Sequence, residues 1–414
     1  MINRHLLSRS RFFQYLAALA VLVLACVSLG QEQQKKERVA FIQFANESAD
    51  SSLDWLAPSL VDCISRGLGA VKEITAVDYS STVRALTEMN MLSADLAREE
   101  NAAKVGKRLG ADIVIIGNYK RSDTKIAVTV EILRIAGEKV ARTMHEAPFD
   151  ADFTLLPGKV GLLILEKLGI KASDTSYLVK KPTESAEALE LYGKGLIFQK
   201  SEKTYDKAIE SFANAAKKDQ KFAPPHFHLG CLYAITDIPN SLTSALKEYL
   251  KATSIDPDYA EAFSNLGVIY TQLGHAEQAL QAYNSAIEKN PGLADAHCNL
   301  GKLLDSQGKH DDSIKEYNTA IKLSPNDAVL YNNVAVAYIN KGNKEEAEKA
   351  YLKAVELNPD LKEAHLGLGL IYDNQNQKDK AILHYEMYLS LGGDDAEIVI
   401  RLQQLQKAAE KEQK

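Results

Sequence analysis

Residues 260–293 read AEAFSNLGVIYTQLGHAEQALQAYNSAIEKNPGL, and residues 294–327 follow the same plan as ADAHCNLGKLLDSQGKHDDSIKEYNTAIKLSPND. Leu266-Gly267 and Leu300-Gly301 are continued at 34-residue spacing by Val334-Ala335 and Leu368-Gly369. Tyr270, Leu304, Tyr338 and Tyr372 keep the phase, as do Ala279, Ser313, Ala347 and Ala381. Tyr283, Tyr317, Tyr351 and Tyr385 come next, then Ala286, Ala320 and Ala354, and Pro291, Pro325 and Pro359 close the units. This period predicts helical hairpins. One hairpin cannot cover its own apolar face, so stability comes from stacking on neighbours. The small residue beside Leu lets two helices approach, the tyrosine rings fill the space between pairs, and proline ends the second helix.

These residues resemble the tetratricopeptide-repeat family, which implies an all-α solenoid whose concave groove holds a protein or peptide. Six units are expected, at 186–222, 223–259, 260–293, 294–327, 328–361 and 362–395. The first two are longer. Tyr192-Gly193, Leu196, Ala208, Phe212 and Ala215 carry the first, and Leu229-Gly230, Tyr233, Ala245, Tyr249, Ala252 and Pro257 the second. Each has three extra residues between its helices, which loops at 199–204 and 236–243 absorb at little cost. In the sixth unit Tyr388 replaces the small residue and Gly393 the proline. Residues 396–414 then read as a capping helix and tail, with Ile398, Leu402 and Leu405 on one side and polar residues around them.

The residue before each Leu-Gly pair points toward the groove. Asn265, Asn299 and Asn333 occupy that place, 34 residues apart. An amide carries both donor and acceptor, so such a ladder could bond an extended peptide backbone whatever its sequence. The arrangement resembles the asparagine ladder in the superhelix of O-GlcNAc transferases. The alternative is that each Asn bonds only to the neighbouring helix. Lys302, Asp305, Asn332 and Asn340 also fall at groove-facing phases. Lys302 is the only basic residue there in the middle four units, unlike the basic carboxylate clamp of some tetratricopeptide proteins.

Residues 38–172 mix strand and helix rhythms and predict an α+β domain. Apolar runs at 38–45 and 112–119 fit buried strands. Ile126, Val128, Val130 and Ile132 alternate with Ala127, Thr129 and Glu131 as a half-exposed strand does, and 139–145 returns after a turn at Ala136-Gly137. Helices are expected over 52–68, 82–89, 95–109 and 153–168, with a short strand at 74–77. The runs 39–46, 53–56 and 106–117 resemble the TolB amino-terminal-like domain, related in fold to the curli secretion lipoprotein CsgG. That likeness implies envelope association and protein contacts, not chemistry. The fold class expected is an α+β N-terminal domain followed by an all-α tetratricopeptide-repeat solenoid, joined by an exposed, extended linker at 173–185.

Arg4, Arg9 and Arg11 precede an apolar stretch over 12–24, and Ser28-Leu29-Gly30 offers small residues for cleavage before Gln31. Residues 1–30 therefore read as an export signal, with an uncleaved anchor as the alternative and 31–37 as a tether. Val23-Leu24-Ala25-Cys26 resembles a bacterial lipoprotein box, which would lipidate Cys26; otherwise Cys26 is an apolar filler of a discarded signal. Cys63, Cys231 and Cys298 have no short spacing and read as small buried hydrophobes. Export without disulfides fits a bacterial periplasm or cell envelope, lipid-anchored at the outer membrane if Cys26 is modified.

A net charge of −6 over 414 residues gives no electrostatic footprint for nucleic acid. No phosphate loop, helical zinc pair or nucleophile elbow is present, so no enzyme activity and no cofactor or metal are expected. His226, His297 and His365 share one repeat position, whole repeats apart, and read as packing residues. Two readings follow. The first is an exported adaptor binding a protein or peptide in the groove, touching membrane only through a signal or lipid anchor. The second is a subunit of a secretion or outer-membrane assembly, homo-oligomeric through its N-terminal domain.

Overall fold

Four consecutive apolar residues, Ile113, Val114, Ile115 and Ile116, are buried in one strand because helices cover both faces of its sheet. In the computed structural model that strand is central. The structure describes residues 36–412 except 49, 78, 90, 92–98, 123, 136–138, 149–153 and 237–239. The expected export signal, Cys26, most of the tether and the 136–137 turn lie outside the described residues.

The N-terminal part runs β1 (Glu37–Asn46), α1 (Leu56–Gly69), β2 (Ile74–Ala76), α2 (Tyr79–Glu88), α3 (Glu99–Arg108), β3 (Ile113–Ser122), β4 (Lys125–Arg134), β5 (Lys139–Pro148) and α4 (Leu156–Leu168). The sheet order is β2-β1-β3-β4-β5. β1 and β3 are parallel, and β3, β4 and β5 form the expected antiparallel meander. A register shift between Phe41 and Gln43 lets Phe41 and Phe44, three apart, join the same core as Ile113 and Ile115. Val114, Ile116 and Leu133 face the other side with Ala102 and Val105 of α3. Gly110 ends the segment after α3 with φ +64°, which an L side chain rarely adopts.

The solenoid follows as helix pairs α6 (Ala186–Phe198)/α7 (Tyr205–Lys218), α8 (Ala223–Ile235)/α9 (Ser241–Ile255), α10 (Ala260–Gln272)/α11 (Ala276–Lys289), α12 (Ala294–Ser306)/α13 (His310–Leu323), α14 (Ala328–Lys341)/α15 (Lys344–Leu357) and α16 (Lys362–Asn374)/α17 (Lys378–Ser390). A Cβ on Gly267 would lie 2.5 Å from the Tyr283 ring, and one on Gly369 equally close to Tyr385, so the small residues are required by the rings they meet. Within each late unit the turn between helices holds a positive φ at Gly274, Gly308 and Gly342, and Asn376 takes that place in the last unit. The final helix, α18 (Ala396–Glu412), buries Ile398, Leu402 and Leu405 against the last pair. Asp395 caps it by accepting from Glu397 N at 2.9 Å.

Two expectations are corrected. The linker at 173–185 is exposed only in part: Ser173, Asp174, Ser176, Val179, Lys180 and Glu184 face solvent, but the segment is also fastened to the fold. Its short helix α5 (Ser176–Val179) drops Leu178 into a slot formed by Gly67, Gly158 and Gly161, and Thr183 is buried too. In the first unit, Gly195 rather than Gly193 faces the second-helix ring, Phe212, at 2.5 Å from its would-be Cβ. Gly193 instead lies against the carbonyl of Trp55 in the N-terminal part. The Gly193 contact follows from the docking of α1. α1 stacks on α6, and Trp55, Leu56 and Leu60 share a single core with Ala188, Leu189, Tyr192 and, from the second unit, Leu229 and Leu232. The first hairpin needs a neighbour on its open side, and α1 supplies it.

Candidate functional site

The first helix of each pair carries the groove-facing positions, and the structure divides them into a covered half and an open half. α1 stacks on α6 of the first unit and, with α2, faces the first helices of the second and third units across a gap. A cavity of about 320 Å³ remains between α1 and α2 on one side and α6, α8, α10 and α12 on the other. Asn265 and Ser264 line it with Arg66, Gln199 and His228.

The cavity wall is a connected polar network. Tyr192 donates its hydroxyl to Asp62 Oδ2 at 2.8 Å, and Arg66 Nε donates to the same oxygen at 3.1 Å. The Arg66 guanidinium sits 5.1 Å over the Tyr259 ring. His228 Nε2 lies 3.1 Å from Tyr192 Oη and its Nδ1 3.0 Å from Gln199 Oε1, while its ring stacks on Phe212. Burial holds the His228 imidazole neutral, with its pKa pushed down to about 4. Burial likewise raises the Tyr192 phenol well above its usual value. These groups bind the two parts of the chain together.

Further contacts fasten the N-terminal part to the turns between units. Tyr177 donates to Asp256 after the second unit. Gly292 after the third lies beside Thr75. After the fourth, the Arg38 side chain bonds the Leu323 carbonyl and Ser324 Oγ, and Asn326 Nδ2 donates to Lys107 O at 2.8 Å.

The ladder residues lie as follows. Asn265 Nδ2 donates to Tyr249 Oη at 3.3 Å and to Cys231 Sγ at 3.5 Å. Asn333 Nδ2 donates to Cys298 Sγ at 3.5 Å. In both residues the amide N–H donates to groups of the preceding unit. Asn299 is half-buried and Lys302 is exposed. Asp305 accepts from Asn340 Nδ2 at 2.7 Å and from His310 Nδ1 at 2.7 Å, and so joins neighbouring units across the groove. Asn332 Oδ1 is buried without a partner among the described residues.

The sequence reading missed an apolar set on the open half. Val336 and Leu370 fall 34 and 68 residues after Lys302, and Ile339 falls 34 after Asp305, so all three share the groove-facing phases. They are 39%, 51% and 37% exposed, respectively. The signal lay in the sequence, where two aliphatics replace the lysine at one repeat position.

The three repeat histidines pack as expected and are also hydrogen-bonded. His226 Nδ1 meets Glu248 at 2.6 Å, His297 Nδ1 meets Glu316 at 2.7 Å, and His365 Nδ1 meets His384 Nδ1 at 3.0 Å. Desolvation works to raise the Glu248 pKa, but hydrogen bonds from His226 and Lys251 outweigh it and leave it lowered. Burial, then the neighbouring His365 and Lys380, push His384 down to about 4. Cys63 and Cys298 are buried and Cys231 half-buried; burial raises the Cys63 thiol to about 12 and the Cys231 thiol to about 11, so neither is an activated nucleophile. No cluster of three His, Cys, Asp or Glu poised for a metal occurs among the described residues.

Comparison with known proteins places tetratricopeptide repeats in this chain. The family model described as TPR repeat matches residues 240–274, 267–305 and 304–342, and two described as tetratricopeptide repeat match 328–361 and 350–382. No curated protein matches the chain. Solved structures that it resembles include the MamA protein, 28% identical over 42% of this chain and 93% of that one, with a TM-score of 0.36. Another is YrrB, titled a TPR protein with an unusual peptide-binding site, 21% identical over 48% of this chain and 100% of that one, with a TM-score of 0.39. A third is pilF of Pseudomonas aeruginosa, 20% identical over 45% of this chain and 86% of that one, with a TM-score of 0.42.

Proposed function

We propose, from the tetratricopeptide repeats carried within residues 240–382, that this protein is a non-catalytic scaffold of the bacterial cell envelope that binds a protein or peptide on the open half of its groove. The observation that carries the reading is the solvent-exposed set Val336, Ile339 and Leu370 at groove-facing phases, flanked by Asn333, Asn340 and Lys302. Aliphatic side chains there supply the burial that amides cannot. A neutral hydrogen bond nets about 0.5–1.5 kcal/mol, whereas fully burying a Val, Ile or Leu side chain contributes about 1.5–3 kcal/mol. Residues 1–30 support export, Cys26 an outer-membrane lipid anchor, and the TolB-like wording of 38–117 an envelope-docking role for the N-terminal part.

The test is capture from envelope extract with the full chain, its V336E/L370E variant, and an L352E variant whose change lies on the exposed outer face of α15. The reading expects the groove variant to lose the partner that wild type and L352E both retain, with melting temperatures unchanged. Retention of that partner by the groove variant at wild-type strength would overturn it.

A further inference from the structure

We propose that two copies of this chain pair their β5 strands antiparallel about a two-fold axis at Met144, giving a dimer with one continuous sheet. β5 spans Lys139–Pro148 and closes the sheet order at one side. One edge of it pairs with β4 from Lys125↔Pro148 to Leu133↔Lys139, and no described strand pairs with the other. An edge of this length presents backbone donors and acceptors to any strand that reaches it.

The side chains specify which strand that is. Successive residues alternate between faces, so Arg142, Met144 and Glu146 share one. Met144 is 60% exposed, and the Arg142 and Glu146 side chains are 63% and 49% exposed. The core of this sheet does not use that row; Val128 and Val130, paired with His145 and Thr143, face the side that α4 covers.

In an antiparallel pair centred on Met144, each Met144 stands opposite its copy. Arg142 then stands opposite the partner's Glu146, and Glu146 opposite the partner's Arg142. Directly opposed residues have Cβ atoms roughly 4.5–5.5 Å apart, close enough for both ion pairs to form. Within one chain, Arg142 already meets Glu131 of β4 at 3.2 Å and Glu146 meets Lys125 at 3.4 Å. The joined sheets therefore carry a row of alternating charge: Glu131, Arg142, the partner's Glu146, the partner's Lys125. Register is fixed by the same residues. Centring on Thr143 sets Arg142 against the partner's Met144, and centring on His145 sets it against the partner's Pro148, so both ion pairs are lost. A self-complementary patch of this kind is what a closed two-fold interface requires.

The dimer does not depend on the groove reading, since β5 and the open groove lie on different parts of the chain. Sedimentation velocity of the full chain in mild detergent tests it. Wild type is expected to sediment as a dimer at about 10 µM. R142E and E146R each set like charges opposite one another, and each should weaken dimerisation about ten-fold or more. An equimolar mixture of the two variants should recover the dimer, because one strand then carries two acids and the other two bases. Met144→Cys should also give a reducible covalent dimer under mild oxidation at a level wild type does not reach. A monomeric wild type, a dimer indifferent to both single variants, a mixture that stays monomeric, or no cross-link through the new thiol would each overturn the proposal.

Discussion

Tyr192 and Asp62, 130 residues apart in sequence, share a buried hydrogen bond of 2.8 Å that joins the first repeat helix to the first helix of the N-terminal part. Asp62 also holds Arg66, and Tyr192 also touches His228, so this bond lies where two folding units meet.

Removing the hydroxyl in Tyr192→Phe should cost about 1.5–3 kcal/mol, the range for a hydrogen bond to a charged group. Asp62→Ala leaves the Arg66 guanidinium largely buried without its carboxylate and should cost about 3–5 kcal/mol. Urea unfolding followed by far-UV and near-UV signals measures both. Because the core is shared, residues 38–232 should unfold in one transition. Separate transitions for the sheet and the first two repeats would refute this.

Two glycines should respond differently to alanine. At Gly193 a Cβ would lie 2.2 Å from the Trp55 carbonyl oxygen, so α1 must move off α6. At Gly308 nothing lies within 4 Å, and only the φ of +75° resists. G308A should cost about 1–2 kcal/mol. G193A should cost more, because backbone cannot yield as a side-chain tip does. Equal denaturation midpoints would show that α1 is not held as described.

Stability should fall as the solution is acidified. His228 is neutral in the fold, with a pKa of about 4 against an ordinary 6.5. The unfolded chain therefore binds a proton first, and the advantage of the fold, complete above about pH 6.5, is lost as pH drops toward 4. The contribution is on the order of 3 kcal/mol. Thermal unfolding of wild type and His228→Gln at pH 7.5, 6 and 5 checks this: the variant should start less stable and lose less. Parallel curves would remove His228 from the account.

The ladder should divide by position. Asn265 lines the cavity beneath α1 and bonds Tyr249, so N265A should lower stability by about 0.5–1.5 kcal/mol and leave partner capture unchanged. N299A/N333A should weaken capture while the solenoid stays folded. If N265A weakens capture as much as the pair does, the covered half of the groove is being reached by ligand.

At the other end, Arg401 Nε and Nη2 both reach the Asp373 carboxylate at 2.7 Å. That pair is partly exposed, so Arg401→Ala should cost less than about 1 kcal/mol. Ending the chain after Gly393 uncovers Tyr385, Tyr388 and Leu389, and should lower the melting temperature and promote self-association far more. A truncated chain as stable as the point variant would deny α18 its capping role.

The solenoid was legible because its constraint is periodic. Gly267 and Tyr283 recur with their units, and the ring-to-glycine contact that fixes one pair fixes them all. The docking of α1 was hidden by its own composition. Ser59, Asp62 and Ser65 make a polar stripe at helical spacing, which reads as a solvated face, yet all three are at least 94% buried. Their polar atoms are satisfied at short range, Ser59 Oγ by the Trp55 carbonyl and Asp62 by Arg66. Nothing in the periodicity announces that a second apolar surface will cover such a stripe. The burial of Leu178 within the linker was hidden for a similar reason: the charged, proline-containing run 180–182 outweighed that single leucine, and the glycines that receive it lie in two other helices. In the groove, the phase of Asn265, Asn299 and Asn333 was readable, but not the Cys231 and Cys298 sulfurs that take two of their donors.

The attachments at Asp256, Gly292 and Ser324 fall after three successive units, so the N-terminal part works as a ruler laid along the array. A duplicated 34-residue unit inserted before residue 292 would carry the two later landmarks out of reach of Thr75 and Arg38. Inserted after residue 327, it would lengthen only the free arm. Growth of this molecule by unit duplication is thereby confined to its distal end, where each added hairpin would lengthen the open groove without disturbing the fastened base.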